Sequence, residues 1–292
     1  MSRRIGLPLL AVFLIVDVLL VVLVYRHVNQ PPPPSDVTLE ETPAPDRVDN
    51  EQTAFEFDPS TAMVLDVTND GAMVLATRGA CDGAPATVMT GTDNGASMTP
   101  RSPDLQTVLS AAITGDGDVL LVGTGSDCDP VQLRSTDGGA SWDEDDEISL
   151  WYPSPTDVRT VVAPNGTASQ PQCSVSSLSQ VDENFARVTC VDGVVRGTGN
   201  SGAEWVVLGR LDNIRTATFT TFDTGYALAR FQGCAAFVFT TTDSGATWTD
   251  RSCIVGDPAR AIAASDTALV GVVGADPQVF LSDDGGDSFG PA

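Results

Sequence analysis

The sequence predicts an all-β fold, a β-propeller of about five four-stranded blades, carried behind a single membrane-crossing helix. Three observations predict it. A short turn recurs five times, at Gly91 to Met98, Ser135 to Trp142, Thr198 to Trp205, Thr241 to Trp248 and Ser282 to Phe289. Short segments of alternating apolar and polar residues precede each copy, as in Ile214 to Phe219, where Ile214, Thr216 and Thr218 are expected on one face and Arg215, Ala217 and Phe219 on the other. Residues 5–25 form an almost unbroken apolar run.

The recurring turn reads Ser/Thr-x-Asp-x-Gly-x-x-Trp. Its clean copies are Ser135, Asp137, Gly139, Trp142 and Thr241, Asp243, Gly245, Trp248. The others are Asp93 and Gly95 with Gly91 and Met98; Asn200, Gly202 and Trp205 after Thr198; and Asp284, Gly286 and Phe289 after Ser282. Each residue type suits a tight reversal into a fourth strand. The carboxylate accepts backbone N–H groups, glycine adopts φ > 0, the hydroxyl adds a local hydrogen bond, and the aromatic ring anchors the strand that follows. Equivalent placement in every unit favours a turn-locking role for these acids over calcium binding or catalysis.

The third box residues recur at intervals of 44, 63, 43 and 41 residues. A propeller blade needs about 40–45 residues. The long interval therefore predicts an insertion near residues 151–171, rich in Pro, Asn and Gly, with a sixth, degenerate blade as the alternative. After Phe289 only Gly290, Pro291 and Ala292 remain, too few for a regular fourth strand, so Thr53 to Phe57 is expected to pair into the last blade and close the ring.

At the box residues the chain resembles the Asp-box, or bacterial neuraminidase repeat, propellers, over about Gln52 to the C-terminus. The resemblance implies a propeller with its boxes between third and fourth strands, opposite the face that holds active sites in the glycosidase members. Phe222 to Leu228 also resembles the strand-two signature of photosystem II assembly-factor-like propellers. The Phe/Tyr-Arg-Ile-Pro motif of sialidases is missing, since Glu51 to Ala80 contains only Arg78.

Ahead of the propeller, residues 1–4 are expected in the cytoplasm and 5–25 across the bilayer. Arg3 and Arg4 before the span set this orientation, and the run exceeds the core of a cleaved signal peptide. Asp17 within it reads as a tolerated acid. Residues 26–52, with Pro31 to Pro34 and several acids, form an extended spacer, and 53–292 the propeller. The predicted location is the cell membrane, single-pass, with the propeller outside.

Charge and cysteine content narrow the function. With 39 acidic against 15 basic residues, all arginine, and a net charge of -24, the chain repels nucleic acid. Acid runs such as Asp143 to Glu147 lack the glycine and ligand spacing of a calcium loop. His27 is the only histidine, which excludes a histidine-based triad in the propeller; no cofactor or metal is expected. Six cysteines outside the span suit disulfides: Cys173 with Cys190, Cys234 with Cys253, and by remainder Cys81 with Cys128. The predicted function is a non-catalytic module binding a protein or cell-envelope glycan, with Trp151 and Tyr152 as aromatic anchors and Arg78, Arg134 and Arg187 as polar contacts. An assembly or quality-control factor for a membrane complex and a glycoside hydrolase are the alternatives.

Overall fold

The computed structural model describes residues 62–292. The expected span 5–25, the spacer 26–52 and the segment Thr53 to Phe57 lie outside them. No helix among the described residues is long and apolar enough to cross a membrane.

Six antiparallel sheets follow one another along the chain, five of them with four strands. Blade 1 comprises β1 (Met63–Val67), β2 (Met73–Thr77), β3 (Val88–Thr92) and β4 (Ser97–Arg101). Blade 2 comprises β5 (Thr107–Ile113), β6 (Val119–Thr124), β7 (Pro130–Ser135) and β8 (Asp143–Asp145). Blade 3 has only three two-residue strands, β9 (Tyr152–Pro153), β10 (Val161–Val162) and β11 (Ala168–Ser169). Blade 4 holds β12 (Val175–Gln180), β13 (Ala186–Cys190), β14 (Val194–Thr198) and β15 (Val206–Arg210). Blade 5 holds β16 (Ile214–Phe219), β17 (Gly225–Phe231), β18 (Cys234–Thr241) and β19 (Thr249–Ile254). Blade 6 holds β20 (Ala259–Ala264), β21 (Leu269–Val273), β22 (Gln278–Ser282) and β23 (Gly290–Pro291).

The protein is thus a six-bladed propeller, and two expectations are corrected. The 151–171 stretch is a reduced blade instead of an insertion. Its short strands suffice because Trp151 and Val161 are fully buried against Val175, Ala186 and Val188 of blade 4, so packing between sheets replaces ladder length. The second correction concerns the C-terminus, whose last residues do form a short fourth strand, Leu281 pairing with Gly290 and Phe280 with Pro291; the expected pairing of Thr53 to Phe57 lies outside the described residues.

Among the described residues, hydrogen bonds of Asn69 and an apolar cluster join blade 6 to blade 1. Asn69 of blade 1 donates to the Asp266 carboxylate at 2.9 Å and accepts from the Asp266 backbone N–H at 2.8 Å, while the Thr267 hydroxyl donates to the Asn69 carbonyl at 2.9 Å. Beneath these bonds Val67 and Met73 pack on Ala263 and Val270.

The strict alternation expected over Ile214 to Phe219 is broken by a bulge. Ile214 pairs with Ala229 and Thr216 with Leu228, leaving Arg215 out of register. Ile214, Ala217 and Phe219 consequently share one buried cluster. Register breaks fall at matching places in β5, β12 and β20, at Leu109, Ser176 and Arg260. A bulge adds a residue to one strand and re-aims its side chain.

Because blade 3 is held by Trp151, replacing Trp151 with Ala should cost about 3–5 kcal/mol. Urea unfolding followed by circular dichroism would show this as a lowered midpoint at unchanged slope.

Candidate functional site

The strands within each blade alternate in direction, which sorts the turns onto two faces. Turns joining first to second and third to fourth strands open on one face. Turns joining second to third strands, and one blade to the next, open on the other.

The recurring turns occupy the first face. In blade 2 the Ser135 hydroxyl donates to Asp137 Oδ1 at 2.8 Å and accepts from the Gly139 N–H at 2.7 Å, while Asp137 Oδ1 accepts from the Ala140 and Ser141 N–H groups at 2.9 Å. Thr241, Asp243, Gly245 and Thr247 repeat the pattern in blade 5, and Ser282, Asp284, Gly286 and Ser288 in blade 6. In blade 4 the Asn200 carbonyl oxygen takes the place of the carboxylate and accepts from Glu204 N–H at 3.0 Å. The blade 1 turn, with Gly91 in place of the hydroxyl, is a short 3-10 turn at Asp93–Gly95. Hydrogen bonds from Ser141, first through its hydroxyl, hold the Asp137 carboxyl well below the usual carboxylate range, as Thr247 does for Asp243 and Ser288 for Asp284. These acids are spent on their own turns.

The five box glycines share a second property. Gly95, Gly139, Gly202, Gly245 and Gly286 all have φ between 83° and 98°. A Cβ at each would also meet the preceding blade: Val279 at Gly95, Thr90 at Gly139, Ser169 at Gly202, Val195 at Gly245 and Val238 at Gly286.

A channel of about 400 Å³ runs along the inner strands β1, β5, β12, β16 and β20, with Leu150 and Pro153 of blade 3 completing its wall. Three arginines line it: Arg78, following β2, and the bulged Arg215 and Arg260. All belong to the end where the inner strands begin. The Arg78 N–H bonds the Ala62 carbonyl just ahead of β1, and Arg215 and Arg260 are the second residues of β16 and β20. Blades 5, 6 and 1 are consecutive around the ring, so one mouth of the channel is cationic in a chain of net charge -24.

Arg78 is 8 % exposed and donates to the Ser154 carbonyl at 3.3 Å. Burial pushes its guanidinium down to about 10. Burial does the same to Arg215, also to about 10, with the Arg230 charge acting in the same direction and Asp257 against it. Arg260 donates to the Gly274 carbonyl at 3.0 Å. Arg230 and Asp257 pair at 3.1 Å on the rim.

Deeper in the channel, Asp66 of β1 accepts from the Ile113 N–H at 2.9 Å. Burial pushes its carboxyl up to about 6, against the opposing pull of the Ile113 and Val67 amides. Asp66 is the only carboxylate among the described residues lining this channel, and no tyrosine lines it.

The three disulfides stand on the same face as the cationic mouth. Cys81–Cys128 ties the second-to-third-strand turns of blades 1 and 2, Cys173–Cys190 pins the entry of β12, and Cys234–Cys253 joins β18 to β19; their Cα separations are 5.5, 5.8 and 6.1 Å.

Of the residues expected to form a binding site, Arg78 lies at the cationic mouth. The others lie elsewhere. Trp151 is fully buried, donating through its indole N–H to the Asp182 carbonyl at 3.0 Å and meeting Trp205 edge-on at 6.2 Å. Tyr152 is buried against Leu109 and Val122. Neither ring is available to a surface ligand, because blade 3 has little else from which to build a core. Arg187, also buried, donates to the Thr198 and Phe222 carbonyls at 3.4 and 3.2 Å and clamps blade 4 to blade 5. Arg134 is exposed on β7, 3.8 Å from Asp118, near the box face. Sequence reasoning missed Arg215, Arg260 and Asp66. The available signal was an arginine at the second position of the first strand in two successive repeats.

No family model matches this chain, and no curated protein matches its sequence. Among solved structures it is similar to a fucose-binding lectin of Aleuria aurantia, at 11 % identity over 80 % of this chain and 96 % of that one, with a TM-score of 0.53. It is also similar to an aldose sugar dehydrogenase of Streptomyces coelicolor, at 12 % identity over 77 % and 96 % of the two chains and a TM-score of 0.51. A match to YCF48 of Cyanidioschyzon merolae has 16 % identity over 82 % and 73 %, with a TM-score of 0.33. The likeness to the first two lies in the β-propeller fold.

Asp66 gives a stability signature. Its folded pKa is raised to about 6 from an ordinary 3.8, so the folded state holds a proton the unfolded chain has lost. Its contribution is complete below about pH 4 and disappears as pH rises to about 6, on the order of 2–3 kcal/mol. The depressed box acids act in the opposite direction, and their contribution is lost only as pH falls below about 4. Thermal unfolding of Asp66→Asn should therefore show a flatter pH profile between these two values than the parent chain, and an unchanged profile would refute the assignment.

Proposed function

We propose that this chain is a non-catalytic binding propeller and that the cationic mouth of the central channel is its site. The observation that carries this reading is the convergence of Arg78, Arg215 and Arg260, from three consecutive blades, on one mouth. Arg78 is buried and Arg215 and Arg260 are half-buried, and withdrawing a guanidinium from water is costly for stability alone. Arginines are suited to recognising carboxylates and other planar anionic groups.

The same channel argues against hydrolysis. Glycosidases of the usual kind need two carboxyl groups facing the sugar, and sialidases a tyrosine nucleophile. Among the described residues Asp66 is the one carboxylate in the lining, while Tyr226 lies on β17, the second strand of its blade, and Tyr152 is in the core.

The reading extends to the parts of the chain known only from sequence. Residues 5–25 are taken as a membrane anchor with the propeller outside the cell, supported by the apolar run, the flanking arginines and the cystine-paired cysteines. The hydroxyl–Asp–Gly turns with their repeated hydrogen bonds support the Asp-box kinship. An assembly or quality-control role would be this same binding activity directed at a membrane complex.

Full-length protein carrying Arg215→Gln and Arg260→Gln should recover its cross-linked partner about tenfold less well than the parent, the scale of loss typical for anchoring arginines. Undiminished recovery, with an unchanged circular dichroism spectrum, would place the site elsewhere. Protease added to intact cells should digest the propeller while sparing cytoplasmic proteins; full protection would reverse the proposed orientation.

A further inference from the structure

The channel couples two features of opposite charge. Asp66 lies three residues along β1 from Met63 at the cationic mouth, about 10 Å at ~3.3 Å per residue. Both line the same cavity.

The surroundings of Asp66 are otherwise simple. Of the strands packed against β1, neither β2 nor β5 carries a titratable side chain, and β20 carries only Arg260. Arg78 and Arg215 complete the charged lining. The Arg230–Asp257 pair stands on the cationic rim, and Asp70 and Asp266 flank the far mouth. The propeller contains no histidine.

The lining favours a particular anion. Apolar residues share the channel lining with the arginines, among them Met63, Leu150 and Ala259. An apolar stem beside a charged head would meet both features. A polyanion, in contrast, would be repelled by a chain of net charge -24.

We propose that the mouth binds a ligand bearing a single carboxylate on an uncharged, apolar stem, and that Asp66 makes this binding tighten as the medium acidifies. The inference rests on the arginine mouth being the binding site. Protonation of Asp66, whose carboxyl is pushed up to about 6, removes a negative charge from the channel. The ligand carboxylate, with an ordinary pKa near ~4, keeps its charge over most of that range, and the arginines keep theirs. Affinity therefore rises by about three- to tenfold from about pH 7.5 to about pH 5, the coupling expected for two charges ~10 Å apart at an effective dielectric between protein and water.

The test uses full-length protein in detergent and three probes: N-acetyl-Ala-Leu with a free carboxyl terminus, its C-terminal amide, and 4-methylpentanoate. Titration calorimetry at the two pH values should show the free acids binding and the amide failing to bind. Binding of the peptide acid alone assigns a chain terminus as the source of the carboxylate, and equal binding of 4-methylpentanoate assigns a small acid. Asp66→Asn should retain binding and lose the pH dependence, while Arg215→Gln with Arg260→Gln should lose binding at both pH values; Arg215→Lys, which keeps the charge, controls for folding. Equal affinity for amide and acid, or a pH dependence that survives in Asp66→Asn, overturns the inference. The partner cross-linking by the arginine variant stands or falls separately, so the mouth can remain the binding site when the ligand class proposed here is wrong.

Discussion

Packing between neighbouring blades is the constraint on which this structure depends. A single blade exposes both faces of a small sheet and cannot bury them alone. Six apolar seams supply the burial, one between each adjacent pair: Val74 and Val88 against Val108 and Leu121, Leu109 and Val122 against Leu150 and Tyr152, Trp151 against Val175, Val195 against Phe219, Leu228 against Ile262, and Met73 against Val270. Each seam removes apolar surface from water at roughly 25 cal/mol per Å². Among the described residues the last seam, between blades 6 and 1, closes the ring.

Seen from the seams, the recurring turn has two functions. Its hydrogen bonds close the reversal, and its final residue seals the junction with the blade before it. Trp142 packs on the blade 1–2 cluster, Trp205 on the 3–4 cluster, Trp248 on the 4–5 cluster, Phe289 on the 5–6 cluster and Met98 on the 6–1 cluster. Blade 3 has no such turn, and the 2–3 seam is sealed instead by Leu150 and Tyr152. The box glycine belongs to the same contact, since its missing Cβ is what lets the turn approach the neighbouring sheet.

The division of labour between the faces follows from strand direction. Turn-locking carboxylates gather on one side, and the cationic mouth and the disulfides on the other. Among the described residues Asp66 is the one carboxylate in the channel lining. A local positive mouth within a negative molecule is a matter of placement and could not be inferred from net charge.

The repeat, its period and its turn chemistry were legible in the chain because each copy is a local device: hydroxyl, carboxylate, glycine and ring act within eight residues. The long interval after Asp137 was equally visible, yet whether it held an insertion or a sixth blade depended on Trp151 finding a pocket on blade 4, a contact between distant segments. For the same reason Trp151 and Tyr152, which read as exposed anchors, proved to be core. Arg215 read as an ordinary strand residue because the bulge that turns it to the channel is set by pairing with β17. By itself the sequence determined the kind of blade and the way each turns back on itself. The number of blades, the closing contact and the side chains that share the channel were decided only by the tertiary structure, since each depends on which sheet a residue meets across a seam.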